Sequence, residues 1–265
     1  MQTATGIPGT ATGFGMNIGP QANAPQEGTY TATIYGLIRD EKYAEAARVL
    51  SMELQNFPRS RAALSLLAYC YYYMQDFRSS ALTYEQLVRF HPEVDEYKIY
   101  YAQSLYKAGL YEDALKVASK VDNDEYSHRL LQLQAAIKYE MDDLAGTKSL
   151  VNQCEQDDPD TLVNQASITY KEGDYEKAKQ MFQEAMTAVG YQPELSYNVA
   201  LCDYQMKQYG PSLKLIAEII EKGVREHPEL SVGSNTDGIE VSGSLYRSFI
   251  PCAIMCCLLF RVGIR

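Results

Sequence analysis

The sequence predicts an all-α chain, a right-handed α-solenoid of stacked helical hairpins, on three observations. A large residue (aromatic or Leu), a small residue three places on and an apolar residue four further recur through most of the chain. The recurrences are Tyr43-Ala46-Leu50, Phe77-Ser80-Tyr84, Tyr111-Ala114-Ala118, Leu144-Thr147-Val151, Tyr175-Ala178-Phe182 and Tyr209-Ser212-Ile216. Successive first members lie 34, 34, 33, 31 and 34 residues apart. Turn-tolerant or polar residues stand just before each copy, at Glu41, Gln75, Gly109, Asp142, Gly173 and Lys207.

A period of about 34 residues is the tetratricopeptide length, each unit being one hairpin that buries its apolar face only by stacking on its neighbours. In the first helix of each unit a second small residue recurs at Ala68, Ala102, Ala135, Ala166 and Ala200, with Ile34 in its place in the first unit. Two small positions per unit let paired helix backbones approach closely, and the large residue between them fills the space that remains. Pro58, Pro92, Pro193 and Pro228 mark unit ends, because proline inside a helix forfeits a backbone hydrogen bond. The acidic stretch Glu155 to Asp160 is expected to open the first helix of the fifth unit, where carboxylates complement the positive end of the helix dipole.

Three segments follow: residues 1–26 as a disordered leader without a charged side chain, 27–241 as the array of about six repeats, and 242–265 as an atypical apolar tail. The leader lacks the basic start and apolar run of a signal peptide. The tail runs from Phe249 to Phe260 without a charge, yet is too short to span a bilayer and is broken by Pro251. It either covers the exposed face of the last unit or stays disordered, with membrane association as the alternative.

A formal charge of −10 and a pI near 4.9 argue against nucleic acid and anionic membrane as partners, and favour protein. Cys70, Cys154 and Cys202 are isolated, and with Cys252, Cys256 and Cys257 they show no zinc-ligand spacing. They read as free thiols of a reducing compartment, with lipidation of the last three as the alternative. His91, His128 and His227 lie far apart, and two of them precede proline at helix ends, a capping pattern. Neither a nucleophile motif, a phosphate loop nor a metal spacing is present, so the sequence gives no reason to expect an enzyme, a cofactor or a metal.

The candidate binding face follows from helical spacing. In the first helix of each unit, positions two, five, nine, twelve and thirteen share one side. Position twelve reads Ile38, Tyr72, Tyr106, Tyr139, Tyr170 and Tyr204. Tyr35, Tyr69, Tyr73 and Tyr197 extend this tyrosine ladder, while position thirteen adds Arg39, Lys107 and Lys171. Two roles remain open for the ladder: contact with an extended Pro-rich strand in a groove, or packing between repeats.

The segments YGLIRDEKYAEAARVL (35–50), SRAALSLLAYCYY (60–72), YEQLVRFHPE (84–93), RLLQLQAAIKY (129–139), YKEGDYEKA (170–178), GYQPELSYNVAL (190–201) and AEIIEKGVREHPEL (217–230) resemble one family. That family is the tetratricopeptide subunit of intraflagellar transport, tetratricopeptide repeat protein 30 or fleer, and the similarity covers roughly residues 27–241. The resemblance implies a scaffold subunit of transport complex B, bound to its core subunits and working with the anterograde kinesin-II. It also implies residence in the cilium, at the axoneme and basal body, and in the cytoplasm, with a link to cilium assembly and polyglutamylation of axonemal tubulin. Family members are longer, and their later repeats close around an extended, Pro-rich segment of a core subunit. The tail after Val241 departs from the family pattern, which leaves a generic tetratricopeptide adaptor or a truncated, non-functional isoform as alternatives.

Overall fold

The computed structural model describes residues 30–226, and within them twelve α-helices pair into six hairpins. The inner helices are α1 (Tyr30–Arg39), α3 (Arg61–Tyr73), α5 (Asp95–Lys107), α7 (Ser127–Glu140), α9 (Pro159–Lys171) and α11 (Pro193–Gln205). The outer ones are α2 (Tyr43–Asn56), α4 (Phe77–Phe90), α6 (Tyr111–Ala118), α8 (Leu144–Val151), α10 (Tyr175–Val189) and α12 (Tyr209–Glu226). Each helix packs on the next in chain order, which makes the molecule an all-α solenoid of tetratricopeptide hairpins.

The small positions account for the close packing within hairpins. Ala46, Ser80, Ala114, Thr147 and Ala178 on the outer helices are fully buried, as are Ala68, Ala102, Ala135 and Ala166 on the inner ones. In two hairpins the small residue also ties the helices together: the Ser80 hydroxyl donates to the Ala68 carbonyl at 3.0 Å, and the Ser212 hydroxyl to that of Ala200 at 2.8 Å.

All six turns have the same backbone. Glu41, Gln75, Gly109, Asp142, Gly173 and Lys207 take positive φ, between 57° and 90°. In each turn the residue's own N–H donates to the position-twelve carbonyl, and the following N–H donates to the position-eleven carbonyl. These paired bonds satisfy carbonyls that a helix end would otherwise leave open. Aspartate then caps three of the outer helices, Asp76, Asp143 and Asp174 each accepting from a backbone N–H three residues on.

The loop before α9 follows expectation: Asp158 caps the helix by accepting from the Asp160 N–H at 3.3 Å, Pro159 opens it, and Asp160 puts a carboxylate in the first turn. Pro193 differs: it opens α11 instead of marking the end of a unit, because the first helical position needs no N–H. His91 follows α4, but its backbone N–H makes the cap bond to Leu87, while its imidazole lies 3.4 Å from the Glu93 carboxylate. The imidazole of His91 therefore does not cap. The leader, the tail and the expected array boundary at 241 lie outside the described residues, as do His227, Pro228 and the last three cysteines. Of the other three, Cys70 and Cys202 are fully buried, and burial pushes each thiol up to about 12.

Candidate functional site

The inner helices differ along the array, and that difference decides what the tyrosines can do. In the middle, α5, α7 and α9 are buried on nearly every side, including their position-five and position-nine residues Ile99, Gln103, Gln132, Ala136, Val163 and Ser167. Tyr106, Tyr139 and Tyr170 are buried as well, Tyr139 at 1% exposure. Here the rings lie within the packing of the hairpins. Tyr106 and Tyr170 lay their rings against Tyr111 and Tyr175 of the same hairpin, at 5.9 and 5.2 Å between centroids. The Tyr139 hydroxyl points toward the Ser167 carbonyl of the next unit, at 3.4 Å. The accessible part of the ladder is thus interrupted at these three rings, which are enclosed between helices.

Lys171 belongs to the same joint. Its ammonium sits 3.9 Å from the centre of the Tyr139 ring, donates to the Tyr139 carbonyl at 2.9 Å and pairs with Asp142 at 2.7 Å. A cation held by a ring face, a carbonyl and a carboxylate is a staple between units four and five. Lys107 lies over the Tyr106 ring at 5.7 Å.

The accessible tyrosines of the ladder fall at the two ends of the array. Tyr69 and Tyr73 of α3 stand 4.3 Å apart, and Tyr43 of α2 stacks on Tyr73 at 5.4 Å. Tyr72 meets Tyr73 and Phe77 edge-on. All of these rings are half-buried, whereas Tyr35 and Arg39 of α1 are exposed. Rings packed against one another keep their orientation at low entropic cost while presenting edges and hydroxyls to solvent. At the other end Tyr197 is half-buried, and Tyr204, whose ring lies 5.4 Å from Tyr209, is exposed.

Sequence reasoning passed over a set of carboxamides on the inner helices. Gln103, Asn164 and Asn198 are buried, the two asparagines at equivalent places one repeat apart. Neither carboxamide atom of Gln103, nor Oδ1 of Asn164, has a hydrogen-bond partner among the described residues. The recurrence of asparagine 34 residues apart was the available signal. Also unforeseen is the ion pair between Lys179 of α10 and Asp203 of α11, 2.6 Å long with the carboxylate almost wholly enclosed.

Comparison with known proteins agrees with this architecture. Among solved structures, a tetratricopeptide repeat protein from Parabacteroides merdae superposes with a TM-score of 0.60 at 12% identity, covering 72% of this chain and 78% of its own. PilW, a type IV pilus biogenesis factor, gives 0.59 at 12% identity, covering 76% and 93%. At these identities the likeness shows the fold alone. Sequence relatives are far nearer. Intraflagellar transport protein 70A of Xenopus laevis is 56% identical over 216 residues, and that of Danio rerio 52%. Intraflagellar transport protein 70A1 of Mus musculus is 53% identical over 225 residues. These alignments take in 81–82% of this chain and 33–34% of each relative, so the chain spans about a third of their length. The family model described as Intraflagellar transport protein 56 matches residues 64–240. With the repeat, the turn geometry and these matches together, the chain belongs to the intraflagellar transport family of tetratricopeptide-repeat proteins.

Proposed function

We propose that the chain is a non-enzymatic scaffold subunit of intraflagellar transport complex B whose first two repeats hold an extended, Pro-rich segment of a core subunit. The observation that carries this reading is the packed aromatic cluster of Tyr43, Tyr69, Tyr72 and Tyr73, with Tyr35 and Arg39 exposed on α1. Aromatic faces and edges held in fixed spacing suit a polyproline II strand, which loses little entropy on binding and offers its pyrrolidine rings for stacking. Arg39 adds a donor at the rim for a carbonyl or a carboxylate of the same strand. Through the core subunits the scaffold works with the anterograde kinesin-II, resides at the axoneme and basal body as well as in the cytoplasm, and supports cilium assembly and tubulin polyglutamylation. Those wider roles rest on membership of the family.

The test is co-expression of the full chain with a panel of complex B core subunits, followed by affinity capture and titration of the retained subunit's Pro-rich segment. The double variant Tyr69→Ala/Tyr73→Ala is expected to lose at least tenfold in affinity while retaining its helical content. Capture of no core subunit by a folded chain, or unchanged affinity in the double variant, would overturn the proposal.

A further inference from the structure

The last outer helix among the described residues, α12, carries an apolar stripe, and the position at its centre is covered in every other repeat. The residues equivalent to Ile216 are Leu50, Tyr84, Ala118, Val151 and Phe182, and all are buried at 2% exposure or less. In each case the inner helix of the following unit packs on that side. Ile216 itself is only half-buried, and Tyr209, Leu213 and Ile220 are 52%, 66% and 52% exposed. Spaced i, i+4, i+7 and i+11, these four side chains form one line along α12. Such a stripe in water is unfavourable in proportion to the apolar area left uncovered, so it favours an apolar occupant.

We infer that residues Phe249–Phe260 of the same chain dock on this stripe and take the place that a following inner helix holds elsewhere in the array. The sequence FIPCAIMCCLLF has no charged side chain, and the inner-helix residues grouped with the equivalent sites are likewise apolar, such as Leu67 with Leu50, Ile168 with Val151 and Leu195 with Phe182. The stretch that comes first, residues 227–243, is a poorer occupant: it holds Gly233, Gly238 and Gly243 with Ser, Asn and Asp between them. Reach is not limiting. Residues 227–248 can extend about 75 Å, whereas α12 is about 27 Å long. Pro251 stands two residues into the segment, where a helix beginning there would accommodate it in its first turn.

The tail carries its own probes, since Cys252, Cys256 and Cys257 lie inside it, whereas Cys70, Cys154 and Cys202 are buried in the array. In the full chain, Leu213→Cys treated with a short thiol cross-linker is expected to give an intrachain link to one of the three tail cysteines. Glu184→Cys, exposed on α10, is the control and is expected to give none. In parallel, Ile254→Asp/Leu258→Asp is expected to speed hydrogen exchange across residues 213–224 at least tenfold and to leave α3 to α9 unchanged. Links between chains only would show that a second copy covers the stripe and would overturn the inference. Absence of any link, or exchange in α12 indifferent to the tail variant, would overturn it equally. Because α12 lies at the opposite end of the array from the aromatic cluster, these outcomes are independent of partner binding in the first two repeats.

Discussion

Tyr139 brings its hydroxyl, its ring face and its main-chain carbonyl to the next repeat at once. Replacing it with alanine empties a fully buried site and releases Lys171, so Tyr139→Ala is expected to cost about 3–5 kcal/mol in urea unfolding. Exposed Tyr35 on the same face serves as the contrast, and Tyr35→Ala is expected to stay within about 0.5 kcal/mol. Lys179 and Asp203 predict a second residue-scale effect. Their pair is 2.6 Å long, with Asp203 enclosed and Lys179 retaining some access to water. Lys179→Ala leaves a buried carboxylate without its cation and is expected to destabilise by about 3 kcal/mol, whereas adding Asp203→Leu is expected to recover most of that loss. Glu140 acts in the other direction. Burial, partly opposed by Lys171 and Lys107, raises its carboxyl above the ordinary range. A raised carboxyl means that the ionised form is disfavoured in the fold, a cost present above its folded pKa and lost as pH falls through it. Glu140→Gln is therefore expected to raise the melting temperature at pH 7, with the gap to the parent chain closing in acid below the ordinary carboxylate range.

At the scale of the helix and its turn, six hairpins share one left-handed turn residue, and four of the six use a side chain other than glycine. A non-glycine residue in that region carries strain of about 1–2 kcal/mol, partly offset because glycine loses more chain entropy on folding. Gln75→Gly, at an exposed turn with φ of 64°, is expected to stabilise the chain by about 1 kcal/mol. Gly109→Ala, at φ of 77°, is expected to do the reverse by a similar amount, and both are read by chemical denaturation. These six turns were legible in the sequence because the geometry demands a turn-tolerant residue at a fixed distance from two small ones. The small positions were legible for a related reason: Ala102 or Ala135 sits where a larger side chain would hold two helices apart. The surroundings of position twelve were less legible. The same helical spacing places a tyrosine at the edge of the packed face whether the next unit leans over it or away from it. That lean is set by contacts between units. Ile99, Ala136 and Val163 at positions five and nine carried a hint, since apolar residues on a supposed groove face signal that neighbouring inner helices close over it.

The whole molecule is a line of neighbour contacts, and its stability is the sum of unit and junction terms. Those junctions are unequal. Large clusters join units one and two, two and three, three and four, and five and six. Between units four and five the separate apolar cluster contains only Ala135, Val151 and Ile168 as its buried members, with Leu150 beside them. Outer helices α6 and α8 are also short, at eight residues each, so α8 offers little surface to α9. Polar contacts supplement that joint: Lys171 on Tyr139 and Asp142, Lys148 with Glu172 at 3.2 Å, and Gln165 with Gln156 at 2.7 Å. Ion pairs with exposed members are individually weak and screened by salt, so they add less than buried area of the same extent would. Removing two methyl groups at the centre of this joint should therefore uncouple the array there before anywhere else. Val151→Ala is expected to cost about 1–3 kcal/mol and to split the unfolding transition, residues 159–226 separating from residues 30–151. Hydrogen exchange followed through a urea series reads this directly. In the variant α9 to α12 should gain exchange at a different denaturant concentration from α3 to α7, and added salt should widen the gap, whereas Leu87→Ala, within the cluster of units two and three, should shift the exchange of α3 to α5 and leave α9 to α12 in place. A single coincident transition in Val151→Ala at both low and high salt would mean that the polar contacts alone transmit cooperativity across the fourth unit.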